Sequence, residues 1–317
     1  QASMTFVNAF EGYVVSQELG RYVYNVTMGT FTSPWRGGLF PEIQGYLYLY
    51  IPLLTMGIMS RELSSGSIKL LYSSPVTNFQ IVIGKFISIM IYALVMIAVL
   101  GLFVIYGVCF VHEFDLPPVL AGLLGLYLLI CAYGAIGLFM SSLTSYQVVA
   151  AMGTFAVFAV LNYVGGMWQD IAFVRDITYW LSIGSRIVSF LTGIIASADV
   201  IYYLLIICFC LALTWLKLRF RKLTWSCWKQ GLVYTALIVV VLALGYLSSR
   251  PKMRFYADGT EDKRNTLSEV SQKVMNDIEG KVKVTTYVNV LHKNSVFMMP
   301  VSINADKARF EQYMRFH

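Results

Sequence analysis

The sequence predicts an all-α polytopic membrane protein, a bundle of membrane-crossing helices, followed by the start of a C-terminal external α/β domain. Three observations predict it. Of the 317 residues, 57% are hydrophobic and only 13% are charged, about half the charged share of a soluble domain, and the mean hydropathy is +0.65. Six runs without a charged residue cover about 43–60, 86–108, 119–140, 147–167, 200–216 and 231–248, each near the roughly 20 apolar residues that a helix needs to cross hydrocarbon. After residue 249 the chain turns polar and charged. The apolar runs are too many and too dispersed to be a cleaved leader.

Residues 1–42 come first and are half polar, rich in glycine and aromatic side chains. Their side of the membrane follows from the basic residues of the short loops, which mark the cytoplasmic face. Arg61, Lys69 and Lys85 face Glu62 alone between the first two spans, and Lys217, Arg219, Arg221, Lys222 and Lys229 have no acidic companion before the last span. Both stretches are therefore cytoplasmic. The alternate loops carry His112, Glu113 and Asp115, then Asp170, Arg175, Asp176, Arg186 and Asp199, and face outside. Alternation makes residues 1–42 external, so a further span is expected upstream of Gln1, and the chain is expected to be a fragment that also continues past His317. Residues beyond 249 are external as well, against the weaker signal of Arg250, Lys252 and Arg254. Tyr46, Tyr48, Tyr50, Tyr202, Tyr203, Trp215, Trp225 and Trp228 lie at span ends, where aromatic belts form. Asn25 to Thr27 match a glycosylation triplet, a pattern that is common by chance.

The spans exclude several functions by what they lack. A charge at the bilayer centre costs about 2.5–3.5 kcal/mol and is kept for function, yet none of the six runs holds one. That argues against proton-coupled carriers and voltage sensors; the interior polar candidates are Asn162, Thr55 and Thr154. The pair Gly84 and Lys85 is followed by Phe86 and lacks the upstream glycine of a phosphate-cradling loop, so any ATP is bound by a partner. The cysteines Cys109, Cys131, Cys208, Cys210 and Cys227 lie in or beside apolar runs, and His112, His292 and His317 are scattered. No catalytic residue, cofactor site or metal site is expected, and the net charge of +7 belongs to membrane flanks rather than to nucleic-acid binding.

The segment from Ser60 to Thr77 stands out between the first two spans. Leu63, Ile68, Leu70, Leu71 and Tyr72 suggest a short amphipathic helix, with Gly66 as a break and Ser73, Ser74 and Pro75 as its stop. Here a resemblance enters. MGIMSRE from Met56 to Glu62, Gly66 with Ser67, LLYSSPV from Leu70 to Val76 and IGKF from Ile83 to Phe86 resemble the permeases of type-2 ABC exporters. The resemblance continues through GLFMSSLTSYQ at 137–147 and SFLTGIIASADVIYY at 189–203. It is similar to the branch of the gliding-motility ABC permeases of the Bacteroidetes and covers roughly residues 40–222. It implies a coupling helix that docks on a separate ABC ATPase, with Glu62, Gly66, Leu70, Leu71 and Pro75 at the matching positions. Ser67 stands where threonine is usual, and Lys69 where an acidic residue is usual. The implied assembly is a homodimer or paired permease in the bacterial cytoplasmic membrane. The alternative is a non-transporting scaffold that anchors an envelope complex.

The last part divides at Ser249. Residues 43–222 form the permease unit, 223–254 an additional span with its flanks, and 255–317 the start of the external domain. There Val270, Val274, Met275 and Ile278 share a helical face, Thr266 or Ser268 can cap it and Gly280 ends it. Val282, Val284, Thr286, Val288 and Val290 alternate with polar residues as in a half-buried strand. Asp258, Thr260, Lys263, Leu267 and Ser268 resemble the opening of the auxiliary subunit that accompanies the gliding-motility permease. That resemblance implies a permease joined to its auxiliary subunit near 217–230; Asp258 and Lys263 are read as turn and cap residues.

Overall fold

The computed structural model describes residues 27–33, 38–68, 75–110, 114–166, 171–222, 226–248, 255–260 and 265–277, with Val7 and Lys263. The expected strand at 282–290, Ile278, Gly280 and the coupling residues Lys69, Leu70 and Leu71 lie outside them. Among the described residues the six apolar runs are helical, apart from the joint at Met56. A π-helical turn, Met28–Thr32, precedes α1 (Leu39–Thr55), α2 (Gly57–Ser65), α3 (Asn78–Phe110), α4 (Leu116–Leu143) and α5 (Gln147–Tyr163). The short helices α6 (Ala172–Leu181) and α7 (Ile183–Leu191) lead through β1 (Ile194–Ala196) to α8 (Ser197–Lys222), α9 (Cys227–Ser248), β2 (Tyr256–Asp258) and α10 (Glu269–Asn276). Among the described residues, α3, α4, α8 and α9 are long and apolar enough to cross a bilayer. With 33 residues, α3 is about 50 Å long and overshoots a hydrocarbon core of about 30 Å.

The central post is α4. In its most apolar window 78% of the residues are buried, against 22% in α3 and 6% in α9. Its glycines explain the close packing. Gly122 receives the Phe40 ring of α1, Gly125 receives Phe190 of α7, Gly134 receives Ile89 of α3, and Gly137 receives Thr55 of α1; a Cβ at any of the four would lie within 3 Å of those side chains. In lipid, where tails are as apolar as leucine, such small-residue seats let helices gain dispersion contacts that a bulkier surface would forbid.

Helix direction sorts the charges. Ser141, near the end of α4, touches Met59 and Ser60 of α2, while Gly193, just before α8, packs on Pro118 at the start of α4. Helices α4 and α8 thus run parallel, and Arg61, Lys85, Lys217 and Arg219 gather at one end of the bundle, the inner end in the charge reading above.

Two expectations are corrected. The first span is two helices joined at Met56 rather than one. The charged stretch read as an outer loop folds into α6 and α7, which meet at Ser182. Ile183, Ile187 and Phe190 of α7 are wholly buried, and Arg186 donates to Asp199 across 2.8 Å with side-chain exposures of only 14% and 7%. The guanidinium also lies 5.2 Å from the Tyr202 ring centroid. A buried acid is tolerable there because it is paired and sits in the first turn of α8, where the helix dipole favours negative charge.

At the same outer end, β1 and β2 pair antiparallel, Ile194 opposite Asp258 and Ala196 opposite Tyr256. Gly193, at φ 86°, turns the chain out of α7, and its carbonyl accepts from the Gly259 amide at 2.9 Å. Asp258 organises the segment that follows. Its carboxylate accepts from the Thr260 amide and hydroxyl at 3.0 and 2.7 Å, the Asn265 amide at 3.1 Å and the Thr266 hydroxyl at 2.8 Å. Asn265 in turn donates to the Thr192 carbonyl at 2.9 Å. Ser268 caps α10 by accepting from Ser271 N, as the sequence suggests.

Burial alone would raise the Asp258 carboxyl, but hydrogen bonds from Thr260, Thr266 and Asn265 outweigh it and hold the group below its ordinary value. A depressed folded value contributes stability that is present above the unfolded value and lost as pH falls through the folded one. Spin labels at Val188 and Val270 are therefore expected to keep a narrow distance distribution at neutral pH. It should broaden below about pH 4, near the ordinary aspartate value, and Asp258→Ala should broaden it at neutral pH as well. An unchanged distribution in both cases would contradict this role.

Candidate functional site: the joint between α1, α2 and α4

The segment singled out in the sequence begins at a broken helical ladder. Pro52 lies inside α1 and brings no N–H, and Met56, although its backbone angles remain helical, separates α1 from α2. The Ser141 hydroxyl of α4 is inserted at this point. It accepts from the Met59 and Ser60 amides, both at 3.0 Å, and donates to the Met56 carbonyl at 2.9 Å. The Ser60 hydroxyl also donates to the Met56 carbonyl. A side chain wedged into the ladder is one of the recognised causes of a helix break, and here one donor and two acceptor positions of a hydroxyl are all used. Ser60 and Ser141 are completely buried.

The two sequence stretches 56–62 and 137–147 therefore meet in space. Thr55 fits against Gly137, and the Gln147 side chain comes within 3.9 Å of a Cβ placed at Gly57. Neither the role of Ser141 nor that of Gly137 was assigned from sequence. The available signal was a glycine and a hydroxyl, Gly137 and Ser141, four residues apart and so on one face of a mostly apolar helix.

Glu62 lies one turn further along α2. Its carboxylate pairs with the Lys85 ammonium of α3, and Lys85 also donates to the Ile58 carbonyl at 3.0 Å. Both side chains are about a quarter exposed, so the pair is reachable from water and ties α2 to the overshooting start of α3. Gly66 ends α2 in the left-handed region, at φ 74°, which is the break expected of it. An L side chain there is strained by roughly 1–2 kcal/mol. Ser65 and Ser67 hydroxyls are 2.7 Å apart on the exposed turn, Ile68 is buried, and Pro75 is exposed just before α3. The structure thus brings Glu62 against Lys85 and leaves Ser67 and Pro75 on the surface.

A second polar place lies toward the other end of α1. A cavity of about 400 Å³ is lined by Gln44, Gly45, Tyr48, Tyr133, Asn162 and Tyr163, with Pro41 at its edge. The Asn162 amide donates to the Tyr133 hydroxyl at 3.0 Å and to the Phe158 carbonyl at 2.8 Å, and the Tyr133 ring stacks on Phe158 at 4.0 Å. The cavity lining carries amides and phenols but no charged side chain, so it offers hydrogen bonds and not acid–base chemistry. Thr55 and Thr154, the other interior candidates, donate to Ile51 and Ala150 of their own helices at 2.8 Å.

Ser141→Ala removes the wedge. With about 1–3 kcal/mol lost for each buried group left unsatisfied, partly recovered if the Ser60 amide closes onto Met56, the expected result is a lower thermal midpoint in detergent and faster hydrogen exchange at Met59 and Ser60. Exchange equal to the parent protein would show that the hydroxyl does not hold the joint.

No curated protein and no solved structure matches the chain. The family described as ABC-2 family transporter protein matches residues 24–258, well over half the sequence, from before the π-helical turn through α9 to β2. The multi-pass bundle and this match together make the chain a member of the ABC-2 transporter family, a membrane permease component that works with an ABC ATPase.

Proposed function

We propose that this permease is the membrane subunit of an ATP-driven exporter whose ATPase docks on the segment from Glu62 to Pro75. Closure of the ATPase pushes α2, and α2 passes the load to α1 and α4. The observation that carries this reading is the Ser141 wedge: the segment's helix follows a membrane helix with only Met56 between them, and its backbone amides are bonded to the central post. A helix that merely rested on the membrane surface would need no such bolt. The Glu62–Lys85 pair adds a second attachment, to α3, so that the docking segment moves with three helices. ATP is bound by the partner, and this chain supplies docking contacts and a path.

The path forms between two copies or between paired homologues in the bacterial cytoplasmic membrane. The chain resembles the gliding-motility branch, and the residues after α9 are the start of an external auxiliary domain. The hydrogen bonds of β2, Asp258 and Asn265 to the turn after α7 support that placement, because they hold the segment at the end opposite the docking helix.

Co-expression with an ABC ATPase tests the proposal. Glu62→Lys is expected to lower ATPase co-purification and permease-stimulated ATP hydrolysis, and Gly66→Pro to abolish both. Because Glu62→Lys also sets two ammonium groups against each other, its thermal midpoint is measured beside binding, and the double variant below removes that repulsion. Adding Lys85→Glu restores the pair but not the charge that meets the partner. Recovery of binding in the double variant would show that Glu62 acts only within the chain; parent-like binding in both single variants would remove the docking assignment.

A further inference from the structure

Helix α9 is held to the bundle near its two ends. Toward the inner end its Tyr234 ring meets Phe220 of α8 edge to face at 5.5 Å. Toward the outer end Gly245 is buried against Trp180 of α6, so closely that a Cβ would lie 2.0 Å from the indole. Between these two contacts a slot of about 360 Å³ runs beneath the middle of α9, walled by α4, α5, α6 and α8. Its size falls within the roughly 300–1,000 Å³ of ligand pockets.

The lining is hydrocarbon almost throughout: Phe139 of α4, Leu161 of α5, Ile206 and Phe209 of α8, Val241 and Leu242 of α9. The Tyr202 hydroxyl at its outer end is engaged, donating to the Leu181 carbonyl at 2.7 Å. Water has no partners in such a space, and a dry void of this size would forfeit the dispersion contacts of its walls. Three of the helices around it, α4, α8 and α9, are long and apolar enough to cross the bilayer, so the material that reaches the slot is lipid hydrocarbon. Trp180 and Tyr202 stand at one end only, and amphipathic rings favour the headgroup level.

We infer that the slot beneath α9 is a binding site for one acyl chain of a membrane phospholipid, which enters from the leaflet on the side of Trp180 and fills the space between α9 and the α5–α8 face. The chain acts as a filler that joins α9 to the permease bundle. This holds whether or not the ATPase docks as proposed above.

The test uses the full chain in vesicles of phosphatidylcholine carrying a photoactivatable group in one acyl chain. After detergent extraction and washing, retained lipid is measured by mass spectrometry, and after illumination the labelled peptides are mapped. The expected result is a stoichiometric phospholipid that survives washing and labels peptides bearing Leu161, Ile206 and Val241. Label at Ile105, on the exposed face of α3, should wash away. Val241→Trp fills the slot and should lose the retained lipid, whereas Val241→Ala enlarges it and should keep it. Equal retention in the parent and in a folded Val241→Trp overturns the inference. If that variant does not fold, slot label in Val241→Ala that washes away as readily as label at Ile105 overturns it too. Release of the lipid on ATP hydrolysis by the assembled transporter would make the occupant cargo, and would equally overturn the assignment to a resident lipid.

Discussion

A helix in hydrocarbon must satisfy its own backbone, because no water is there to replace a lost bond. The break at Met56 violates that rule near the inner edge of the bundle, and the Ser141 hydroxyl repairs it with three hydrogen bonds. The repair fixes more than one kink. It requires α4 to end where α2 begins, which sets the depth of both, and it requires the glycine at 137 so that Thr55 can come close enough. Polar groups buried without partners cost several kcal/mol, so the arrangement is held by what would be left unpaired without it. Helix α2, the membrane helix α1 before it and the central post are consequently tied together at that end.

Much of the bundle was legible in the sequence because the bilayer imposes a length. An uncharged apolar run near 20 residues matches the thickness of the hydrocarbon core, and the described residues of all six runs are helical apart from the joint at Met56, four of the runs lying in helices of spanning length. Gly66 was legible for a similarly local reason: an L side chain is disfavoured in the left-handed region, so a glycine between helical turns announces a break. The helices α6 and α7 were not legible, since 10 and 9 residues fall below the spanning length and Arg186 with Asp199 looks like a solvated loop until the two are seen paired. Ser141 and Lys85 were visible as residue types, but a hydroxyl or an ammonium does not declare its partner; that partner comes from a helix remote in sequence. The pairing of β1 with β2 had no signal, since three-residue strands carry too little alternation to be read and their partners are separated by two membrane helices.

The outer end uses a different kind of joint. Gly193 and the Asp258 cluster are built from turn chemistry, with a carboxylate collecting amide and hydroxyl donors from the residues that follow it. Such bonds are compatible with water and sensitive to protonation, whereas the Ser141 wedge is shielded from both. The inner joint is thereby suited to carrying load and the outer one to holding a partly exposed segment in register with α7.

What links the two is α4. It carries Ser141 near one end and Pro118, packed on Gly193, at the other, and it is the helix with the least free surface of the four long spans. A close-packed post transmits displacement because its neighbours have no room to absorb it. Helix α9, with only 6% of its apolar window buried, has that room. Burial thus gives α4 a close-packed connection to the turn after α7 and a looser one to α9, and the segment beyond α9 is gripped by that turn through its hydrogen bonds as well as by the helix that precedes it in sequence.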